Sequence, residues 1–376
     1  MTLHAIIPAG GAGTRLWPLS RRDHPKFLHD LTGSGRSLLQ ATTDRMAPLA
    51  ASITVVTGAR HARAVREQLP ELPAEAVLAE PAPRDSMAAI GLAAQVLARR
   101  YPDQQVIVGS FAADHIIADT AAFAEAVSAA VAAARAGHIA TLGIEASAPS
   151  TAFGYIEAGE SLPVAASLPV YRVASFTEKP DAATAADYLR TGRYRWNAGM
   201  FVADATVLLD HLATEQPELA AGLEQIGRVW ETPERSRVLA QVWPTLPAIS
   251  IDHAIAEPVA AAGGVAVVPA AFDWDDVGDW AALRSQITAA DDGVAPAPQP
   301  GSPGPAVLGD AAQVLAIESP DGLVVPAGGR RVVLIGVPHA VVIDTPDALL
   351  VTTTAHAQQV KDAVAALERA GDQDLL

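Results

Sequence analysis

Ala5-Ile-Ile-Pro-Ala-Gly10-Gly-Ala-Gly-Thr-Arg15-Leu-Trp-Pro-Leu-Ser20-Arg-Arg-Asp-His-Pro25-Lys26 begins as a short apolar run and then breaks into glycines and cations. Ala5 to Ile7 reads as a first strand of a parallel sheet, buried on both faces, because the run is continuous rather than alternating. It stops at Pro8 and passes into a loop with Gly10, Gly11 and Gly13, after which Arg15, Arg21, Arg22 and Lys26 follow closely. Glycines let backbone N–H groups approach an anion and point at it together. The cations then neutralise the charge that the amides hold, so the segment predicts a polyphosphate site. A tight turn with solvated arginines would use the same glycines. The loop lacks the Gly-Lys-Ser/Thr end of a Walker A motif, and Leu16 occupies the last glycine position of a dinucleotide-binding G-x-G-x-x-G.

The bulk properties narrow the field. The chain has 376 residues, half of them hydrophobic, enough for one large domain and a small one. It contains no cysteine, which excludes disulfides and thiolate metal sites and fits a reducing, cytoplasmic setting. No basic leader or 18-residue apolar run is present, so a soluble protein without a membrane span is expected. The net charge of −16 argues against polymeric nucleic acid. A mononucleotide remains compatible, because a local cationic pocket can sit in an acidic protein. Lys26, Lys179 and Lys361 are the only lysines, and Asn197 is the only asparagine. A compact ammonium is not interchangeable with a planar guanidinium. Two of those three lysines stand in Pro25-Lys26 and Glu178-Lys179-Pro180, which marks both as candidates for phosphate contacts.

Buried strands are expected at 53–56, 77–79, 106–109, 140–144 and 265–269, with helices between them, including one from Asp85 or Ser86 to about Arg99, one over 123–136 and one over 250–257. The alternation predicts an α/β, Rossmann-like domain with a mainly parallel sheet. In such sheets ligands bind beyond the carboxyl ends of the strands. Asp114 follows the 106–109 strand, and a carboxylate there suits a hard cation such as Mg²⁺. Pro, Gly and Ala dominate 291–305, as in a linker. Short alternating strands from Val314 to Val351 then predict a small β-rich domain, closed by a helix over 355–369. The resulting division is 1–290, 291–305 and 306–376.

The string Gly-Gly-x-Gly-Thr-Arg-Leu-x-Pro-x(6)-Pro-Lys resembles the signature of the sugar-nucleotide pyrophosphorylases, and Trp17 within Arg-Leu-Trp-Pro resembles their mannose-1-phosphate guanylyltransferase branch. The resemblance covers nearly the whole chain, with motifs in the family's order. It implies an enzyme that transfers GMP from GTP to mannose 1-phosphate, with Mg²⁺. Nucleotide contacts map onto Ala9, Gly10, Gly11, Gly13, Thr14 and Arg15, and onto Glu80, Arg84 and Asp85 of Glu-Pro-x-x-Arg-Asp-Ser. Catalytic cations map onto Arg15, Lys26 and Lys179. The sugar phosphate maps onto Gly154, Glu178, Lys179 and Asn197, with the Asn197 amide facing a sugar hydroxyl through donor and acceptor alike. Metal ligands map onto Asp114 and onto Asp276 of Trp274-Asp-Asp-Val-Gly-Asp-Trp280. The sequence departs from the family at Asp85-Ser86 for Asn-Thr, at Ala112-Ala113 for Pro-Ser, and at His253 for Tyr. A homodimer through the β-rich tail is expected. Other substrates for the same chemistry, such as a heptose 1-phosphate or another base, remain open, as does a nucleotide-binding subunit without turnover.

Overall fold

The computed structural model describes residues 3–11, 13–289 and 304–376; most of the expected linker, 291–303, lies outside the described residues. Contacts divide the chain into two compact units. One comprises Met1–Gly10, Thr42–Ala113 and Ile117–Trp274, and the other Gly11–Ala41, Asp114–Ile116 and Asp275–Leu376.

The first unit is built on a nine-stranded sheet. Its strands are β1 (Leu3–Ala9), β2 (Ser52–Gly58), β3 (Val77–Glu80), β4 (Ile107–Ser110), β5 (Ile139–Glu145), β6 (Tyr155–Ser161), β7 (Tyr171–Thr177), β8 (Tyr194–Asp204) and β9 (Val265–Ala270). Their spatial order is β3-β2-β1-β4-β8-β5-β9-β7-β6. β3, β2, β1 and β4 pair in parallel, as do β5 and β9. β8 runs antiparallel to β4, β5 and β6, and β7 antiparallel to β9 and β6. All strands but β7 and β8 therefore point the same way, as the mainly parallel reading expected.

Both faces of the central strands are apolar, and the period of two divides them between two cores. Ile6, Val265 and Val267 join one core with the helix Asp85–Arg100. Leu3, Ala5, Ala266 and Val268 join the other with the helix Thr120–Arg135. That second helix starts three residues before its expected boundary because Asp119 caps it, its carboxylate accepting from Ala121 N–H and Ala122 N–H. Its alanines bring it close to the sheet, and Phe123, 1 % exposed, locks it there with a burial worth about 2–3 kcal/mol.

The second unit holds the β-rich tail. β10 (Ala306–Val307), β12 (Leu323–Pro326) and β14 (Ala340–Asp344) stack in parallel, as do β11 (Val314–Ile317) and β13 (Val332–Ile335). Paired residues such as Leu315 and Val333, or Val324 and Val342, are a near-constant stretch of chain apart, so each coil lies on the last as in a short parallel β-helix. Gly322 permits this stacking, since a Cβ there would run into the Ala340 carbonyl oxygen. β15 (Leu349–Thr353) closes the sheet antiparallel to β14. The helix Val360–Ala370 packs Val360, Val364 and Leu367 on a core with Leu16, Trp17 and Trp280. Among the described residues no helix is long and apolar enough to cross a membrane.

Candidate active site

Within the first unit, β1 and β4 lie side by side, and their carboxyl ends, Ala9 and Ser110, release the chain where the strand order reverses. Ala9 is buried and its carbonyl accepts from Thr57 Oγ1 at 2.8 Å, which leaves Gly10 exposed as the next residue. The far side of the sheet gathers Gly154, Glu178, Lys179 and Asn197. Asn197 N–H donates to Gly154 O at 2.8 Å. A Cβ at 154 would stand 2.5 Å from Glu178 Oε2 and 3.3 Å from Asn197 Cβ, so glycine there is what lets these residues meet. Lys179 adopts φ 45, an unusual backbone for a side chain of its length, and its ammonium bonds Glu178 Oε1 at 2.5 Å. Burial alone would lower the Lys179 ammonium, but Glu178, joined by Asp252 and Asp85, raises it above its ordinary value.

Asn197 behaves differently from the sequence expectation. It is 6 % exposed, and its Oδ1 accepts from Thr141 Oγ1 at 2.9 Å and Gly199 N–H at 3.2 Å. Its Nδ2 donates to Asp252 Oδ1 at 2.8 Å. The acceptor is therefore occupied by protein groups. Asp252 opens a π-helical turn, Asp252–Ala256, with the Glu257 N–H bonded to its carbonyl. Burial, followed by the Glu178 charge, pushes its carboxyl up to about 6. Glu257 in turn accepts from Glu178 N–H at 3.1 Å and meets His253 Nδ1 at 2.9 Å. Thr141 escaped the sequence reading, and Asp252 and Glu257 entered it only as part of a helix that resembles the family's, with no site role assigned.

The Glu-Pro-x-x-Arg-Asp-Ser segment is also in this unit. Glu80 is buried, its Oε2 has no partner, and burial pushes its carboxyl up to about 7. Arg84 donates through Nε to Trp243 O at 3.2 Å and through Nη2 to Pro244 O, so its guanidinium is anchored to backbone. Neither Asp85 nor Ser86 caps the helix as expected. Asp85 is exposed at φ 62 and accepts from Ser86 N–H, while Ser86 Oγ accepts from Ile251 N–H at 2.9 Å.

Within the second unit, Gly11, at φ 83, and Gly13, at φ 56, carry the loop, and Thr14 and Arg15 begin a short 3₁₀ turn. A Cβ at Gly13 would lie 2.8 Å from Lys26 Cβ, so the loop is pressed against the lysine stem. Lys26 is 8 % exposed; its Nζ lies 2.8 Å from Asp114 Oδ2 and donates to Asp276 O at 2.5 Å. Burial would raise the Asp114 carboxyl, but Lys26, with His115 beside it, holds it below its ordinary value. Asp276 is raised by burial against the pull of Lys26, with Asp275 and Asp114 adding to the rise. Val277, next in sequence, takes φ 46, which is strained for a β-branched residue. Arg15 Nη1 donates to Gln358 Oε1 at 3.1 Å. Arg21 and Arg22, read from sequence as part of the phosphate charge, instead pair with Asp347 and Glu368 of the tail, each at 2.6 Å.

The nucleotidyl transferase family model matches residues 4–292, a span that includes the glycine loop, both metal-candidate aspartates and the group of Gly154, Glu178, Lys179 and Asn197. The chain belongs to this family. A second model, the mannose-phosphate isomerase/GMP-like β-helix domain, matches residues 312–367. Xanthan biosynthesis protein XanB of Xanthomonas campestris is 38 % identical over 97 % of this chain and 73 % of its own length. Mannose-1-phosphate guanylyltransferase ManC of Salmonella typhimurium is 35 % identical over 98 % of this chain and 74 % of its own. The crystal structure described as mannose-1-phosphate geranyltransferase from Thermus thermophilus superposes with a TM-score of 0.80 at 31 % identity, covering 98 % of this chain and all of that one. These matches bear out the guanylyltransferase branch and the enzyme class of the nucleotidyltransferases.

Proposed function

We propose that this chain transfers GMP from GTP to mannose 1-phosphate, releasing GDP-mannose and pyrophosphate. The observation that carries the reading is the meeting of Lys26, Asp114 and Asp276, in a chain matched over nearly its whole length by relatives named for this activity. The chemistry is an in-line displacement. A phosphate oxygen of mannose 1-phosphate forms a bond to the α-phosphorus of GTP, the bond to the bridging oxygen breaks, and pyrophosphate leaves. The nucleophile is already anionic at neutral pH, so no general base is needed, and positioning with charge neutralisation supplies the catalysis.

In this reading Ala9, Gly10, Gly11, Gly13, Thr14 and Arg15 cradle the triphosphate, Glu80, Arg84 and Asp85 lie toward the base, and Lys26 offsets charge at the α-phosphate. Lys179 receives the sugar phosphate, and Gly154, Glu178 and Asn197 form the wall around the sugar. Asp114 and Asp276 fit a divalent cation: both are carboxylates, their charges influence one another, and Mg²⁺ takes one or two carboxylates plus phosphate oxygens. When bound, Mg²⁺ would be held by Asp114 and Asp276 and would offset phosphate charge.

The catalytic region is taken as 1–290 and the tail as 306–376, in a cytoplasmic homodimer. Support for self-association comes from the tail, where Val333, Ile335, Leu349 and Val351 are 50 to 67 % exposed, three of them beside a groove of about 650 Å³. The deciding experiment is a panel of nucleoside triphosphates against sugar 1-phosphates, read by pyrophosphate release. GTP with mannose 1-phosphate is expected to give the highest kcat/KM. A higher value for a heptose phosphate or another base overturns the substrate assignment, and nucleotide binding with no release anywhere in the panel overturns the activity.

A further inference from the structure

The hydrogen-bond chain around Asn197 has a consequence for sugar recognition. Thr141 Oγ1 and Gly199 N–H both donate to Asn197 Oδ1, and an amide oxygen has two lone pairs, so its acceptor capacity is used. A flipped amide would set its NH₂ against the Gly199 N–H, so the orientation is fixed, and with it the donation from Nδ2 to Asp252 Oδ1. Asp252 is half-buried, and Asn197 is the only side chain bonded to it among the described residues. A carboxylate has about four lone-pair sites, so most of its capacity remains available. Its place in a π-helical turn is notable because such turns are rare and concentrate at functional sites. The same turn carries Glu257, whose carboxylate fastens the backbone of Glu178 beside Lys179.

We propose that Asp252, aimed by Asn197, is the acceptor that selects the sugar by taking a hydrogen bond from a ring hydroxyl. Asn197 is then a positioning residue whose oxygen never meets the substrate. The inference rests on the sugar-phosphate reading of Lys179 and Glu178 above. A half-buried acceptor left unpaired by the wrong epimer discriminates more strongly than shape alone. The groups that face Asp252 electrostatically are Glu178 and Lys179, and Lys179 also feels Asp85; His253 and Glu257 complete the surrounding charge.

Three proteins test it: wild type, Asp252→Asn, and the exchange Asn197→Asp with Asp252→Asn, which restores a donor–acceptor pair with the carboxylate on the buried side. Each is titrated calorimetrically with mannose 1-phosphate and glucose 1-phosphate, and assayed for KM of both substrates. Asp252→Asn is expected to weaken mannose 1-phosphate binding by about tenfold or more, to reduce the preference between the epimers, and to leave the KM for GTP within about twofold. In the exchange the amide at position 252 gives its Nδ2 to the carboxylate at 197 and turns its Oδ1 toward the sugar, so part of the sugar affinity lost in Asp252→Asn is expected to return. An exchange that binds no tighter than Asp252→Asn, or unchanged affinity in Asp252→Asn, overturns the proposal and leaves Asp252 a structural partner. Wild type that binds mannose 1-phosphate but releases no pyrophosphate overturns the activity alone, since calorimetry still reports on Asp252. Wild type that binds neither sugar phosphate overturns both.

Discussion

Two acids, Glu80 buried and Asp276 half-buried, set the chemistry of single residues here. Asp276 stands in a strained turn beside Lys26 and Arg15, where burial and neighbouring acids raise its carboxyl. Asp276→Asn keeps the shape and removes the charge, so the melting temperature is expected to hold while pyrophosphate release falls by about 100-fold or more. Near-normal turnover in that variant would remove Asp276 from any metal role. Glu80 makes a different prediction. Its folded carboxyl titrates at about 7 against 4.5 for a free one, so the folded state holds the proton more tightly. The contribution is full below pH 4.5, declines as the pH rises through 7, and is level above that. The span is at most about 3 kcal/mol. Denaturant unfolding of the ligand-free protein should show this decline, and Glu80→Gln should flatten it. Gly13 combines φ 56 with a Cβ that would touch Lys26, and Gly13→Ala is therefore expected to lower stability and turnover together, unlike Asp276→Asn.

At the scale of elements, legibility followed the physical signal. The parallel strands β1, β2, β4, β5 and β9 are continuous apolar runs, and the sequence exposes them directly. β8 was not read as a strand. Tyr194–Asp204 contains Asn197 and Gly199, has no clean alternation, and owes its conformation to pairing with three neighbours rather than to propensity. The helix expected at 250–257 begins as a wide π turn, a difference no periodicity reveals, because it is fixed by where Asp252 and Glu257 must bond. The candidate lysines stood out by rarity, and both lie against carboxylates. The hydrogen bonds of Asn197 were not legible because its partner Thr141 is 56 residues away. The tail makes an element-level prediction. Gly322→Ala forces a side chain into backbone of the next coil and is expected to destabilise the tail by about 1–3 kcal/mol, seen as a lower unfolding midpoint.

For the molecule as a whole, net charge −16 keeps copies apart, and the apolar groove of the tail opposes that. If the groove holds a second copy, Val351→Glu, at a position 65 % exposed, should shift sedimentation toward the monomer while leaving the melting profile of the catalytic region unchanged. An unchanged sedimentation coefficient would remove the groove from any self-association. Raising the salt concentration should strengthen association, because screening weakens the repulsion and spares the apolar contact.

The residues that clasp the early loop are synthesised long after it. Arg21 reaches Asp347, Arg22 reaches Glu368, and the Trp17 indole donates to Leu375 O at 2.7 Å. On a translating ribosome these three partners emerge only after more than three hundred other residues. The glycine loop must therefore wait, unclasped, until those partners have been made, and if it holds the triphosphate as proposed, a nascent chain stalled before residue 347 should be unable to retain GTP.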